Sequence, residues 1–533
     1  MADAPPRHPA WAAALLAAVT FAVFSPTLSS DFVYDARIQI LTDPFPHDPR
    51  NWPAVLSFAV LGMDVLDFNR PVHLASLMLD AACWGRDPFG YHLTSVLLHC
   101  ANVVLVWLVL LDVLPRCGRP RDTAVAGEAG DGIFGAASVA ACAGAIFFAV
   151  HPIVTEAVCE PTFREDLLVA AFTLGAVALA SRGGGLRRAV GCAACCFLAC
   201  ASKESGIAAP LVLGAYWWLF RRGEPGRFWA VAVGGGKAAA GVFLAARFLL
   251  QPETSRIFEV SPTYPGGSFA SAMQVQPRIL ALYAQLVACP VNLSADYNVN
   301  SIRHLPLPAA LAILAALAGL LAWAGWRDRR ITFGAALLLL PLLPVANLVP
   351  IYRAAADRYL YLPLAGVAVI LACCVENVWT RLPRHRRHLG LITGMAVLGL
   401  LATACMARQR VWSNSLALWH DTIARTPTSY TAAAGLASAY RDAGLFRESE
   451  QAARGAIAMT GGERGDFWAA LAIALEGQGR TTEADAALAT ALEKDRRLAD
   501  PEKRVAALAM ERGEAEALER LLARPRATPP VEP

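Results

Sequence analysis

An acidic side chain close to an apolar run is the first residue of this sequence that could carry out chemistry. Asp35 follows the first long apolar run by a few residues and lies beside Phe32, Val33 and Tyr34. A carboxylate at the edge of a bilayer can act as a general base toward a hydroxyl group. A single acid in this position is more often a solvated loop residue, so Asp35 alone is a weak signal for a catalytic site.

Further ionisable residues gather in other short loops between apolar runs, where burying them would be costly. They are Arg70; His151, Glu156, Arg164 and Asp166; Lys203 and Glu204; and Arg353, Asp357 and Arg358. Guanidinium groups fit phosphate geometry through paired hydrogen bonds, so these cations suit a lipid phosphate. The alternative is that each Arg or Lys at a span end only extends to the lipid headgroups. That alternative suits each residue taken singly, whereas the whole set favours a site.

The composition is that of a membrane protein. Of 533 residues, 56% are hydrophobic and 17% are charged, against roughly 45–50% and about 25% in soluble domains. The apolar excess lies in runs of about 20 residues, long enough to cross a bilayer. This excludes a soluble enzyme and a disordered chain. The net charge of +4, without a long basic stripe interleaved with aromatic residues, does not indicate nucleic-acid binding.

Eleven apolar runs approach the length of a bilayer span and predict an all-α, polytopic bundle. They lie near residues 10–28, 91–114, 134–150, 166–181, 189–201, 206–220, 228–250, 306–326, 331–350, 359–380 and 389–406. The run at 277–290 is apolar but short. We expect it to form a re-entrant or interfacial helix whose two ends lie on one side.

Arginine clusters predict which loops are cytoplasmic. Clusters at 116–121, 182–188, 221–227, 327–330 and 381–387 occupy every second loop, as positively charged cytoplasmic loops do. The intervening segments, which contain the acids and the candidate site residues, then face the non-cytoplasmic side. The N-terminus is predicted to be cytoplasmic, and the 127 residues from Ala407 onward to be non-cytoplasmic.

The C-terminal part changes composition and carries a repeat. Gly444, Gly479 and Gly513 recur at spacings of 35 and 34 residues, close to the ~34 residues of a tetratricopeptide repeat. We expect paired helices that stack into a short superhelix, with the glycine ending the first helix of each pair. An assembly scaffold and a groove that presents a protein acceptor are equally consistent with this pattern. The predicted domains are a membrane domain at 1–406, the repeat domain at 407–525 and a flexible tail at 526–533.

Eight sequence blocks in a fixed order resemble one family. They are FVYD (32–35), NRPVH (69–73), DPFGYHLTSVLLH (87–99), HPIVTEAV (151–158), REDLL (164–168), SKESGI (202–207), PVNLSADY (290–297) and DRYLYLPLAG (357–366). Followed by the repeats, they are similar to the transmembrane and tetratricopeptide repeat-containing O-mannosyltransferases and their prokaryotic relatives. The resemblance implies the GT-C architecture and sugar transfer from a polyprenyl-phosphate carrier on the non-cytoplasmic side.

The resemblance also implies roles for single residues. The family's acidic pair in the first loop would begin at Asp35, which makes Asp35 the base that deprotonates the acceptor hydroxyl. The second member of the pair is Ala36 here. Either one carboxylate suffices, or Asp31 or another outer acid compensates, or the activity is weak or lost. The expected site residues are Arg358, Lys203 and Arg70 for the donor phosphate, and His151, Glu156, Arg164, Asp166, Glu204, Asp296, Asp357 and Tyr361 for substrate binding or support.

The predicted function is therefore transfer of a mannose-like sugar, with inversion, to a hydroxyl acceptor such as a protein Ser or Thr. No cofactor or metal is expected, although some related GT-C enzymes use a metal. The expected partners are the lipid-linked sugar, membrane lipids and an acceptor protein that could dock on the repeats. Two alternatives are transfer to an envelope glycan or lipid, and a catalytically weak or inactive membrane-anchored scaffold, which Ala36 favours. A transporter ranks low, because the charges gather in loops rather than at mid-bilayer.

Overall fold

The structure, a computed structural model, describes residues 10–116, 135–224, 226–250, 264–351, 353–500 and 511–523. These ranges contain helices and no strand, as the sequence predicts. The α-helices of eight or more residues are α1 (Ala10–Phe24), α2 (Pro71–Trp84), α3 (Pro88–Val113), α4 (Ala136–Val150), α5 (Arg164–Ser181), α6 (Leu186–Ser202), α7 (Ala208–Phe220), α8 (Gly236–Leu250), α9 (Phe269–Ala288), α10 (Leu307–Arg327), α11 (Arg329–Leu339), α12 (Tyr361–Arg381), α13 (Arg387–Val411), α14 (Ser415–Arg425), α15 (Tyr430–Asp442), α16 (Phe446–Met459), α17 (Gly465–Gly477), α18 (Thr481–Lys494) and α19 (Arg512–Ala523).

The centre of the bundle consists of α3, α4, α5 and α12, which pack against one another. Val103 and Leu110 of α3 are fully buried in this core. On its other side α12 meets α11 at very short range. A Cβ atom at Gly366 of α12 would lie 2.4 Å from the backbone oxygen of Gly334 in α11. Only a residue without a side chain allows this approach, as is common where apolar helices pack closely.

Six helical segments among the described residues are long and apolar enough to cross a bilayer. They are Ala10–Ser29, Pro88–Arg116, Gly226–Leu250, Leu307–Arg327, Asp357–Arg381 and Arg384–Val411. The pair Ala136–Val150 and Pro152–Cys159, bent by 48°, would be a seventh if it forms one span. Helices also form at four other predicted runs, as α5, α6, α7 and α11, but none combines the length, the hydropathy and the small number of charged residues that a span requires. The predicted count of eleven spans is therefore not confirmed.

Two of these segments, α10 and α13, turn most of their apolar surface outward. Only 6% of the apolar window in each is buried inside the protein. Leu320 and Trp323 of α10 and Leu400 of α13 are exposed. Contiguous apolar surface of this kind is surface that a bilayer or a partner covers.

The short apolar run predicted at 277–290 is the second half of a longer helix. α9 begins at Phe269, rather than at residue 277, and contains Pro277 in its interior. Ser268 caps the helix, because its side chain accepts a hydrogen bond from Ser271 N–H at 3.1 Å. In the first half of α9 the apolar residues are interrupted by Ser271, Gln274 and Gln276, so it contains no continuous apolar run and hydropathy alone starts the helix too late.

The C-terminal helices α14 to α18 pack in sequence order, each against the next. Gly444 follows α15 and Gly479 follows α17, and both have positive φ angles, 73° and 74°. Glycine thus ends the first helix of two successive pairs, as the spacing predicts. Gly513 instead lies near the start of α19, and residues 501–510 lie outside the described part of the chain.

The domain boundaries stay predictions. The predicted border at 406/407 falls inside α13, which continues to Val411 as one helix. The predicted tail at 526–533 lies outside the described residues. The tetratricopeptide character of α15 to α18 likewise stays a prediction, although their order and their glycine positions are consistent with it.

Candidate functional site

Loops that the sequence places on the non-cytoplasmic side meet at one end of the bundle. Arg70, just before α2, pairs with Glu165 at the start of α5 at 2.5 Å. Lys203, just after α6, pairs with Asp166 of α5 at 2.6 Å. These buried ion pairs bring three separate segments of the chain into one charged cluster.

Asp35 lies in a turn between the 3₁₀-helix Ser25–Ser29 and the π-helical segment Arg37–Thr42. Its side chain is partly buried, and no described residue forms a hydrogen bond or an ion pair with its carboxylate. Burial raises the pKa of Asp35 above its usual value, while the positive charges of Arg358 and Arg353 oppose this rise. The structure thus leaves this carboxylate unpaired within the field of two arginines.

Arg353 connects the neighbourhood of Asp35 to the C-terminal helices. Its Nη1 lies 2.5 Å from Oδ1 of Asp296, and its guanidinium lies 5.6 Å from the ring centre of Tyr34. Asp296 also accepts a hydrogen bond from the Ser429 hydroxyl at 2.5 Å. Ser429 is the N-cap residue of α15, so this carboxylate joins the bundle to the first helix pair of the repeat.

Arg358 is held by Glu156, which lies in the short α-helix Thr155–Cys159. The main-chain N–H of Arg358 donates to Glu156 Oε2 at 2.9 Å, and its guanidinium pairs with Oε1 of the same carboxylate. The guanidinium also lies 3.9 Å from the ring centre of Phe163. Its Nε atom is buried and has no hydrogen-bond partner among the described residues. Arg358 is thus fixed in position while part of its donor capacity stays unused.

Lys203 approaches the same region from the end of α6. Its Nζ lies 2.6 Å from Asp166 and 2.9 Å from Glu165. Burial lowers the pKa of Lys203, but the two carboxylates outweigh this effect and the pKa is raised. The Lys203 ammonium and the Arg358 guanidinium each lie 5.3 Å from the ring centre of Tyr359. The two expected phosphate-binding cations therefore share one aromatic neighbour.

Arg70 is surrounded by acids. Besides Glu165, it contacts Asp67 at 3.0 Å and Glu204 at 3.3 Å. Glu204 also pairs with Arg247 of α8 at 3.1 Å. Burial raises the pKa of Asp67 to about 7. The side-chain contacts of Arg70 in the described structure are with these three carboxylates, while its Nε is buried and has no hydrogen-bond partner among the described residues.

Arg164 is placed apart from this cluster, in the protein core. Its side chain is fully buried and pairs with Asp80 of α2 at 2.6 Å. It also donates to the main-chain oxygen of Tyr91 at 2.8 Å and lies 3.3 Å from the Ser95 hydroxyl. These contacts join α2, α3 and α5, which is a structural arrangement.

Three other predicted residues have partners within the fold. His151 Nε2 lies 3.1 Å from a main-chain oxygen of α9. Asp357 accepts a hydrogen bond from the Tyr297 hydroxyl at 2.6 Å. The Tyr361 hydroxyl lies 2.7 Å from Nδ1 of His99, below the charged cluster. These contacts hold the loops in place, and among the described residues none of the three side chains forms a hydrogen bond or an ion pair with Asp35.

A narrow cavity opens beside Arg358. Its polar lining comes from Asp166, Ser205, Arg358 and Tyr359. The remaining wall is apolar and consists of Val169, Pro341, Val345, Leu362 and Pro363. The lining of this cavity thus combines one cation, Arg358, and one acid, Asp166, with an apolar wall.

Sequence reasoning missed several acids of the cluster, above all Glu160. Its Oε1 accepts hydrogen bonds from Ala36 N–H at 3.0 Å and from the Thr162 hydroxyl at 2.7 Å. Burial raises the pKa of Glu160 well above its usual value. Its position in the same charged loop as Glu156, followed by a proline, was the available signal. Glu165 and Asp67 were also missed, because a sequence does not show which acidic side chains pair with which cations.

In the described ranges, no group of three His, Cys, Asp or Glu side chains is arranged to hold a metal ion. Most charged side chains of the cluster pair with one another, whereas Asp35 and Glu160 form no ion pair with any described residue.

Comparisons with known proteins find relatives that are named as protein O-mannosyl-transferases. A Caenorhabditis elegans protein named as a protein O-mannosyl-transferase is 24% identical over 442 residues, which cover 80% of this chain and 59% of that protein. A Drosophila melanogaster protein of the same name is 24% identical over 84% of this chain and 61% of its own length. A mouse protein O-mannosyl-transferase is 32% identical, but only over 36% of this chain and 19% of its own length.

These matches confirm the resemblance that the sequence blocks indicate, at the level of the family. The chain spans about 60% of the length of the worm and fly relatives. No family model matches the chain, and no solved structure matches it.

Proposed function

We propose that this chain is a membrane glycosyltransferase that moves a mannose-like sugar from a polyprenyl-phosphate donor to a hydroxyl of an acceptor protein. Transfer takes place on the non-cytoplasmic face and inverts the anomeric carbon. The observation that carries the proposal is the Asp35 carboxylate, which has no partner among the described residues and lies in the field of Arg353 and Arg358. A general base has to be free to take a proton. The names of the relatives support the same reaction.

The donor phosphate binds next to Arg358. This side chain lines the cavity and keeps an unpaired Nε, while Glu156 holds it in place. The apolar wall, which includes Val169 and Leu362, suits the first isoprene units of the lipid. Lys203 lies 5.3 Å from the ring centre of Tyr359, as Arg358 does, and adds positive charge. Donors fixed in advance stabilise the negative charge that develops on a leaving phosphate.

The reaction is an in-line displacement. Asp35 takes the proton of the acceptor hydroxyl while the hydroxyl oxygen attacks the anomeric carbon of the sugar. The bond between that carbon and the phosphate oxygen breaks, and its electron pair leaves with the phosphate next to Arg358. The lipid phosphate stays in the membrane and the sugar stays on the acceptor.

The acceptor is a protein segment presented by the C-terminal helices. The contact of Asp296 with both Arg353 and Ser429 places the start of α15 beside the Asp35 region. A segment bound along α15 to α18 would thus end close to the base. An acceptor among envelope glycans or lipids is the alternative within the same reaction.

Ala36 favours a second candidate function, a scaffold whose transferase site has decayed. The test uses the full chain purified in detergent and a panel of radiolabelled polyprenyl-phosphate sugars with peptide and glycan acceptors. We expect transfer from the mannosyl donor, and a loss of about 100-fold or more in Asp35→Asn. Asp31→Asn changes an exposed acid four residues away; we expect transfer at the wild-type rate, which would rule out Asp31 as the acid that compensates for Ala36. A folded protein without transfer from any donor would support the scaffold instead.

A further inference from the structure

The main chain next to Asp35 is held by an acid from another loop. Ala36 N–H donates to Glu160 Oε1 at 3.0 Å as well as to the carbonyl of Val33 at 3.1 Å. The side chains of Ala36 and Glu160 are both fully buried. At the position where the resemblance predicts a second acid, the chain therefore has an alanine whose backbone contacts a carboxyl group.

The turn that carries Asp35 is strained and needs such an anchor. Tyr34, directly before Asp35, has a φ angle of 51°. A non-glycine residue adopts this left-handed conformation only where its surroundings enforce it. The Glu160 contact fixes the peptide on the other side of Asp35, so it helps to hold the carboxylate in one direction.

We infer that Glu160 acts as a positioning residue for the Asp35 base, because its side-chain oxygen holds the peptide between Asp35 and Ala36. This inference rests on the proposed function. Glu160 acts through the Ala36 backbone and touches no substrate. The turn at Asp35 is thus held by a side chain from the loop before α5, although position 36 itself is an alanine.

The carboxyl groups of Asp35 and Glu160 have different charged neighbours, which affect their pKa values differently. Asp35 faces the positive charges of Arg358, Arg353 and Arg70, which favour its ionised form, together with the opposing charge of Glu165. Burial and then the charge of Asp35 raise the pKa of Glu160. The arginines oppose the rise of the Asp35 pKa, whereas among the described residues no cation opposes that of Glu160, so Asp35 is the more readily ionised of the two carboxyl groups.

The second carboxyl oxygen of Glu160 is not accounted for by the contacts of Glu160 within its own loop. Its Oε2 is buried and has no hydrogen-bond partner among the described residues. Buried polar atoms without partners are rare and unfavourable. The unfavourable burial of this atom is more readily explained by the hydrogen bond from Glu160 to the Asp35 turn than by capping of the short helix Pro161–Phe163.

The test compares Glu160→Ala and Glu160→Gln, because an amide oxygen can still accept the Ala36 N–H. We expect Glu160→Ala to lower kcat by about 10-fold or more, since small misplacements of reacting groups have effects of this size. The donor KM should stay within about twofold, and Glu160→Gln should restore most of kcat. Thr162→Val is the matched control: it removes the other hydrogen bond to Oε1 at 2.7 Å and should leave kcat unchanged.

Deuterium exchange of the peptide containing Ala36 provides a readout that does not depend on transfer. We expect faster exchange of this peptide in Glu160→Ala and wild-type exchange in Glu160→Gln. Wild-type kcat in Glu160→Ala, or an equal loss of kcat in both variants, would overturn the inference. If the wild-type chain transfers no sugar, the proposed function fails, and exchange alone then decides: equal exchange in wild type and Glu160→Ala overturns the inference, while faster exchange supports it.

Discussion

Arg358 donates two hydrogen bonds to Glu156, one from its main-chain N–H at 2.9 Å and one from its guanidinium. One carboxylate thus fixes both the backbone and the side chain of the arginine, at the start of the segment Asp357–Arg381. An arginine held in this way presents its remaining N–H groups in a constant direction. Fixed donors stabilise developing charge without reorganising during the reaction.

Replacing Arg358 by Lys keeps the charge but removes the planar fork of donors. We expect kcat/KM for the lipid-linked sugar to fall about 100-fold, the usual size for loss of a fixed donor at a developing anion. Initial rates measured against donor concentration would show this. Arg410→Lys changes an exposed arginine in the same way and should keep wild-type kinetics. An unchanged kcat/KM in Arg358→Lys would place the phosphate elsewhere.

The pH dependence of transfer should follow the ionisation of Asp35. Burial raises the pKa of Asp35 above its usual value, against the charges of Arg358 and Arg353. A base works only when ionised, so kcat/KM should rise with pH through this pKa and then level off. The midpoint should lie above the value of about 3.9 of an exposed aspartate. A rate measured from pH 4 to 8 that falls or stays constant would contradict Asp35 as the base.

Asp35→Asn should raise the unfolding temperature at pH 7 although it abolishes transfer. The folded-state pKa of Asp35 is raised, so the folded protein holds this proton more tightly than the unfolded chain does. The resulting stability is present below the unfolded pKa and is lost as pH rises through the folded pKa. The asparagine does not ionise and avoids that loss. Thermal unfolding in detergent at pH 7 and near pH 4 should therefore show a difference that shrinks at the lower pH.

Asp31→Asn serves as the control for this measurement, because its side chain is exposed. It should unfold at the wild-type temperature at both pH values. A lower unfolding temperature for Asp35→Asn would mean that the Asp35 carboxylate has a stabilising partner.

Much of the fold could be predicted from the apolar runs, because a helix that is apolar all round has a strong local signal. The run predicted at 359–380 is α12, Tyr361–Arg381. The start of α9 was missed, because its first half is stabilised by packing and a serine cap rather than by an apolar run. Which loops contribute to the candidate site could be predicted from the charged residues that they contain.

The pairing within the site could not be predicted in this way. Lys203 and Glu165 are far apart in the sequence, and their 2.9 Å contact depends on how α5 and α6 pack. For the same reason the sequence could not show that Asp35 has no partner in the described structure while Arg70 has several. The role of Glu160 depends on a contact with a backbone N–H, and a backbone N–H carries no sequence signal.

Arg37 tests whether the C-terminal helices are coupled to the Asp35 turn. Its Nε lies 2.8 Å from Glu511, just before α19, and its guanidinium also pairs with Asp442 of α15. Arg37→Ala should lower kcat for a protein acceptor by about threefold or more, a coupling of the usual size. The rate with a short peptide acceptor should change less. Arg454→Ala removes a pair with Glu450 at 2.8 Å within the repeat and should leave both rates unchanged; equal losses in both variants would rule out specific coupling.

Arg164 should prove structural although the resemblance includes it in the site. It is fully buried against Asp80 at 2.6 Å, and Arg164→Met would leave that carboxylate buried without its partner. Breaking a buried pair in this way destabilises by about 3–5 kcal/mol. We expect a large drop in unfolding temperature, with transfer lost in proportion to the folded protein. The double variant Arg164→Met, Asp80→Leu removes both charges and should recover much of the stability, because a buried pair replaced by apolar side chains is often neutral. A stable Arg164→Met protein without transfer would instead place Arg164 in the reaction.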